Sequence, residues 1–140
     1  MDDELLAHLA IGRLHATYAD ISSRRALVEF AGIVLPDARF TFDFGDDRVV
    51  DVVGPAQLAA FGERAMASFG FYSYQPLNAV LTSVAGDRAT GRFYALEVAT
   101  DVATGQWLEF YGSYDDEYER RDDRWWFARR SFRVAARRTG

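Results

Sequence analysis

The chain has 140 residues, 49% hydrophobic and 15% aromatic, with 21 acidic residues against 16 basic ones, all arginine, and a net charge of -5. That length makes one compact domain with enough large side chains for a core and a pocket wall. The acidic balance excludes a basic phosphate-tracking surface, and the absence of cysteine excludes disulfides, thiolate metal sites and cysteine nucleophiles.

No apolar run reaches the roughly 18 to 20 residues of a bilayer span, and the acidic start MDDELLAHLA lacks the basic region of a secretory leader. A soluble, cytoplasmic protein is expected, with no nucleic-acid and no membrane partner. Over residues 3–22, Ala7, Ile11, Leu14, Tyr18 and Ile21 recur at three-then-four spacing behind an acidic first turn, which predicts a long amphipathic helix. Ser22 or Ser23 is placed to cap a second helix that holds Leu27, Phe30, Ala31 and Val34 and stops near Pro36. ARFTFDFG alternates as a short strand. Gly54 and Pro55 open a third helix with the stripe Leu58, Phe61, Ala65 and Phe69, closed by Gly70. The period then changes to two: residues 74–85, 88–100, 106–120 and 124–134 read as strands, with turns at GD, ATG and RDD. The arginines of ARRSFRVAARRTG read as a solvated strand end and tail. Helices first and strands last indicate an α+β fold. In it, N-terminal helices cover one face of a cone-shaped, curved, mainly antiparallel sheet whose mouth suits a small molecule.

LHATYADISSRRALVEFAGIVLPDARF, GDRATGRFYALE and GSYDDEYERRDDRWWFARR together resemble the SnoaL-like branch of the nuclear transport factor 2-like superfamily. That branch includes scytalone dehydratase, a hexachlorocyclohexane dehydrochlorinase and polyketide cyclases. The likeness spans almost the whole chain, so residues 1–140 read as a single SnoaL-like domain with the cystatin-like cone. The resemblance implies a homo-oligomer, a dimer before a trimer, and chemistry that needs no cofactor. It also implies site positions. The family's carboxylate after the first helix and its histidine opening the strand after the third helix match Ser23 and Tyr74, so that dyad is missing here. A further histidine of the dehydratase falls near Ala99. Its serine and asparagine match Ser113 and Asp115, and its aromatic hydroxyl on the first strand matches Phe42.

Strand parity extends this set. If Ser113 and Asp115 face the cone, Glu109 and Tyr111 share their wall, and across the hairpin Glu97 shares a face with Ala89, Phe93 and Ala99. Carboxylates gathered in an apolar cone push one another toward the protonated form. Asp115 and Glu97 are the expected acid and base, and Tyr74 and Tyr18 the hydroxyls that hold a carbonyl or phenol oxygen. Ser23, Phe42, Glu109, Tyr111, Ser113 and Trp125 are expected to bind substrate. A single bulge exchanges the faces of a strand, which leaves Glu97 and Glu109 a solvated alternative. His8 and His15 read as surface or helix-packing residues, no metal site is expected, and DDEYERRDD reads as a solvated hairpin end. On this parity Leu108, Phe110 and Tyr114 face outward and form an apolar patch for self-association. The expected function is a cofactor-independent lyase, isomerase or cyclase, acting by acid-base chemistry on a small hydrophobic, oxygenated substrate of polyketide, aromatic or steroid-like type. The alternative is a non-catalytic small-molecule-binding or accessory subunit of the same fold.

Overall fold

The computed structural model describes residues 2–140. Helix α1 (Asp3–Arg24) starts where Asp2 accepts the Leu5 N–H at 2.7 Å and where Asp3 and Glu4 meet the positive end of the helix dipole. Its three-four stripe is buried, His15 lies buried beside it, and His8 is exposed. The helix closes at Arg25, whose φ of 58° is left-handed and whose N–H reaches the carbonyls of Ile21 and Ser22.

No α-helix follows at once. The second helix expected over Leu27, Phe30, Ala31 and Val34 is a short 3-10 stretch, Leu27–Gly32, and Val34 already belongs to strand β1 (Val34–Asp43). Ile33 and Val34 are β-branched and Leu35 precedes Pro36, so three consecutive residues favour extended backbone. After a turn with positive φ at Gly45 and Asp47, β1 pairs with β2 (Val49–Val53). Helix α2 (Gly54–Met66) opens with Gly54 and Pro55 as expected. Gly54 is required there, because its φ is 80° and a Cβ would stand 2.7 Å from the Pro36 carbonyl oxygen. Phe69, expected in this helix, instead opens β3 (Phe69–Ala85), which is followed by β4 (Arg88–Asp101), β5 (Trp107–Arg121) and β6 (Arg124–Thr139). The arginine-rich end is no frayed tail, since β6 stays paired with β5 as far as Thr139 opposite Leu108.

The six strands form one sheet in the order β2-β1-β6-β5-β4-β3, antiparallel except for the β1–β6 pair. Register shifts along β3 and between β5 and β6 bend the long strands. Helix α1 packs against β3 and β6, and α2 against β1, so both helices cover the inner face. No helix among the described residues is long and apolar enough to cross a membrane.

Register decides which side chains enter the cone. Phe93 opposes Tyr114, Ala95 opposes Gly112 and Ala89 opposes Tyr118. Odd-numbered residues of β4 therefore share a face with even-numbered residues of β5, and that face is the buried one. The bare Cα of Gly112 makes room for the Phe132 ring, which lies 4.8 Å from that of Tyr114. The expected parity is right for Glu97 and reversed for β5. Glu109, Tyr111, Ser113 and Asp115 point to the outer face, Phe110 and Tyr114 point inward, and Leu108 packs on the core. The physical reason is area: of the two alternating sets on β5, the one with Leu108, Phe110, Tyr114 and Tyr118 has far more apolar surface to hide.

Candidate functional site

The inner face encloses a cavity of about 520 Å³, an ordinary size for a small-molecule site. One wall is apolar and aromatic, with the Phe42 ring 4.5 Å from Phe61 of α2 and 6.0 Å from Phe132 of β6. The opposite wall carries hydroxyls: Tyr18 from α1, Tyr72 and Tyr74 from β3, and Tyr114 from β5. Among the described residues Glu97 is the one carboxylate on the cavity wall.

Glu97 accepts a hydrogen bond from the Tyr72 hydroxyl. Burial raises its pKa above the ordinary carboxylate value, while the Tyr72 hydrogen bond and the Arg130 charge act in the lowering direction. A carboxyl held this way can give or take a proton closer to neutral pH than an exposed one. Tyr74 is 4% exposed, and its hydroxyl lies beside the Tyr114 side chain without a well-formed hydrogen bond. Burial pushes its pKa far up, and that of Tyr18 up to about 12 against the lowering charge of Arg130. Both phenols therefore remain neutral donors, able to hold a carbonyl or phenol oxygen.

Behind the tyrosines lies a buried ionic floor. Arg130, 1% exposed, donates through Nε to Asp116 Oδ1 at 2.8 Å and through Nη2 to Oδ2 at 3.3 Å. Its guanidinium sits 3.7 Å from the Tyr114 ring centroid and 4.7 Å from that of Tyr18, which backs both rings. Tyr118 donates to Asp116 at 3.0 Å. A hydroxyl has one hydrogen, so the 2.7 Å contact between His15 and Tyr118 has Nε2–H as its donor. His15 is thus a neutral imidazole stacked on Phe93 at 3.9 Å, its pKa pushed down to about 2 by burial first and by the Arg130 charge second.

Of the residues singled out in the sequence, Glu97, Tyr18, Tyr74 and Phe42 line the cavity. Ser23 does not: its Oγ accepts the Tyr74 N–H at 2.9 Å and donates to the Tyr74 carbonyl at 3.4 Å, tying the end of α1 to the start of β3. Its neighbour Ser22 faces the cavity. The expected cap on a second helix is therefore a cross-element tether. Trp125 is a core residue, 8% exposed, set away from the cavity. Asp115 borders a shallow outer groove with Thr90, Arg92 and Ser131. Ser113 and Tyr111 lie on the same outer face, where Glu109 accepts the Trp107 Nε1–H at 3.2 Å. Register corrects these four placements.

Tyr72, Asp116 and Arg130 carry no expectation from the sequence, and Tyr114, expected on the outer face, lines the cavity. Tyr72 shares parity with Tyr74, and Tyr114, Asp116 and Tyr118 share the apolar parity of β5, so both signals were present. Arg130 had none, because a register shift between Phe127 and Arg129 turns it inward out of a run of charged residues.

The SnoaL-like domain family matches residues 3–131, and the chain belongs to that family. A type 2 hexachlorocyclohexane dehydrochlorinase is similar in structure, with a TM-score of 0.88 at 22% identity over 99% of this chain and 91% of the other. A candidate scytalone dehydratase from Novosphingobium aromaticivorans gives 0.83 at 20% identity over 96% and 88%. The beta subunit of a candidate aromatic-ring-hydroxylating dioxygenase from the same organism gives 0.79 at 15% identity over 96% and 93%. At these identities the likeness establishes the fold. No curated protein matches the sequence.

Proposed function

We propose that this chain is a cofactor-independent enzyme, a lyase, isomerase or cyclase, that moves a proton on a small hydrophobic, oxygenated molecule inside the cone. The observation that carries the reading is Glu97: a lone carboxylate with a raised pKa on the cavity wall, oriented by Tyr72 and sharing that lining with Tyr18 and Tyr74. In this reading the substrate's carbonyl oxygen accepts from Tyr74 and Tyr18, and the Glu97 carboxylate takes a hydrogen from the adjoining carbon. The negative charge that develops on the oxygen is held by neutral phenols. Returning the proton to another carbon shifts the double bond, and delivering it to a departing hydroxyl releases water. Two proteins of the same fold are named for eliminations, a dehydrochlorinase and a candidate dehydratase, which supports the class.

The non-catalytic reading has one observation in its favour. Ser23 and Tyr74 stand where the family resemblance puts a carboxylate and a histidine, and Ser23 is engaged with the backbone. The similar dioxygenase beta subunit is named as one part of a larger enzyme. Exchange of the carbon-bound hydrogens of enolisable one- and two-ring ketones, such as tetralone, in heavy water separates the two readings. We expect the protein to accelerate exchange and Glu97→Gln to lower the rate by about 100-fold or more while ketone affinity stays within a few-fold. No acceleration, or a Glu97→Gln rate equal to that of the parent, selects the binding module.

We also propose a cytoplasmic homodimer joined through the outer face of β3, β4 and β5. There Phe71 stacks on Trp107 at 5.9 Å, beside exposed Tyr94 and Tyr111. Charges of both signs flank this patch, Arg92 opposite Asp115 and Arg138 near Glu109, so two copies related by a two-fold axis can pair them.

A further inference from the structure

The mouth of the cavity has a chemistry its walls lack. Arg48, Arg64 and Arg137 border it, with Asp46 against Arg48 as the one carboxylate beside them, and among the described residues Glu97 is the one carboxylate of the lining. In a chain of net charge -5, a rim with three guanidinium groups runs against the average of the surface. Two of the three arginines contact Phe44, and the third lies on the neighbouring helix α2. Arg137 donates to the Phe44 carbonyl, and the Arg48 guanidinium lies 5.1 Å from the Phe44 ring centroid. That ring in turn is 6.2 Å from Phe61, which precedes Arg64 by about one turn of α2. Arg48 is paired with Asp46 at 2.9 Å, whereas Arg64 enters no ion pair among the described residues. The lining also includes Tyr74, whose buried hydroxyl makes no well-formed hydrogen bond.

We propose that the ligand of this cavity is an amphipathic anion. Its oxygenated ring system enters the aromatic interior toward Tyr74, and a carboxylate or other oxyanion stays at the mouth with Arg64, Arg137 and Arg48. The inference rests on the cone being a small-molecule site and narrows the substrate class of that site. The arginine fork matches the two oxygens of a carboxylate, and a cationic rim both draws an anion to the mouth and fixes which end enters first. Exposed charges act mainly through capture and orientation, so the effect is moderate and sensitive to salt.

The test compares a hydroxynaphthoate with its methyl ester, binding each to the full chain by calorimetry at low and high salt. The acid is expected to bind about tenfold more tightly than the ester at low salt. High salt narrows the gap, and the double variant Arg64→Gln, Arg137→Gln closes it. The double variant Arg13→Gln, Arg39→Gln, at two exposed arginines outside the cavity lining, retains the gap and controls for net charge. Naphthyl phosphate as a third probe tells a phosphate head from a carboxylate one by which shows the arginine-dependent gain. Equal binding of acid and ester, or a gap that survives the double variant, overturns the anionic mouth while leaving the cone a small-molecule site. If no probe binds, the cone reading fails and this inference falls with it.

Discussion

His15 keeps its one proton on Nε2 for Tyr118 and leaves Nδ1 without a partner, so the imidazole is held neutral by its surroundings. Its pKa is about 2 in the folded chain against 6.5 for the ordinary group, which means that between those values the unfolded chain binds more protons. The stability contributed by neutral His15 is complete above 6.5 and is lost as pH falls toward 2, by up to about 1.4 kcal/mol per pH unit. Glu97 and Asp116, raised by burial, contribute in the opposite sense, and Arg130 stays charged throughout. His15→Gln keeps an N–H for Tyr118 and cannot become charged. We expect the urea midpoint of the parent to fall between about pH 7 and about pH 5 more steeply than that of this variant. Equal slopes would show that His15 is not held neutral. Nothing around position 15 in the sequence announced this, because its partners Tyr118, Asp116 and Phe93 lie far along the chain.

Elements whose boundaries depend on neighbouring residues were legible in the sequence. Helix α1 follows from its stripe and its acidic start, α2 from Gly54 and Pro55, and the four long strands from their turns. The side a strand turns to the core was not, because parity depends on register with a partner and on which alternating set is greasier. Polar family positions drew attention to Ser113 and Asp115, although Leu108, Phe110, Tyr114 and Tyr118 outweigh that set in apolar area. The reversal moves the proposed self-association surface as well. With Phe110 and Tyr114 inside, the outer aromatic face consists of Phe71, Trp107, Tyr94 and Tyr111. Light scattering at micromolar concentration is expected to give a dimer mass, and Trp107→Glu with Tyr111→Glu a monomer that remains folded. A single-chain mass for the parent protein would refute the interface.

For the molecule as a whole, the fold was readable because its element order and family motifs extend over nearly the entire chain. The site was readable only in part. Tyr18, Tyr74, Phe42 and Glu97 converge, while Arg130 of the ionic floor and the rim arginines Arg48, Arg64 and Arg137 come from segments with no shared local signal. The proposed binding site lies inside the cone and not in the shallow outer groove beside Asp115. Titrating the isotope-labelled protein with tetralone and following backbone and side-chain chemical shifts tests it directly. The largest shifts are expected at Tyr72, Tyr74, Glu97, Phe110 and Tyr114. Shifts centred on Thr90, Asp115 and Ser131 would contradict it.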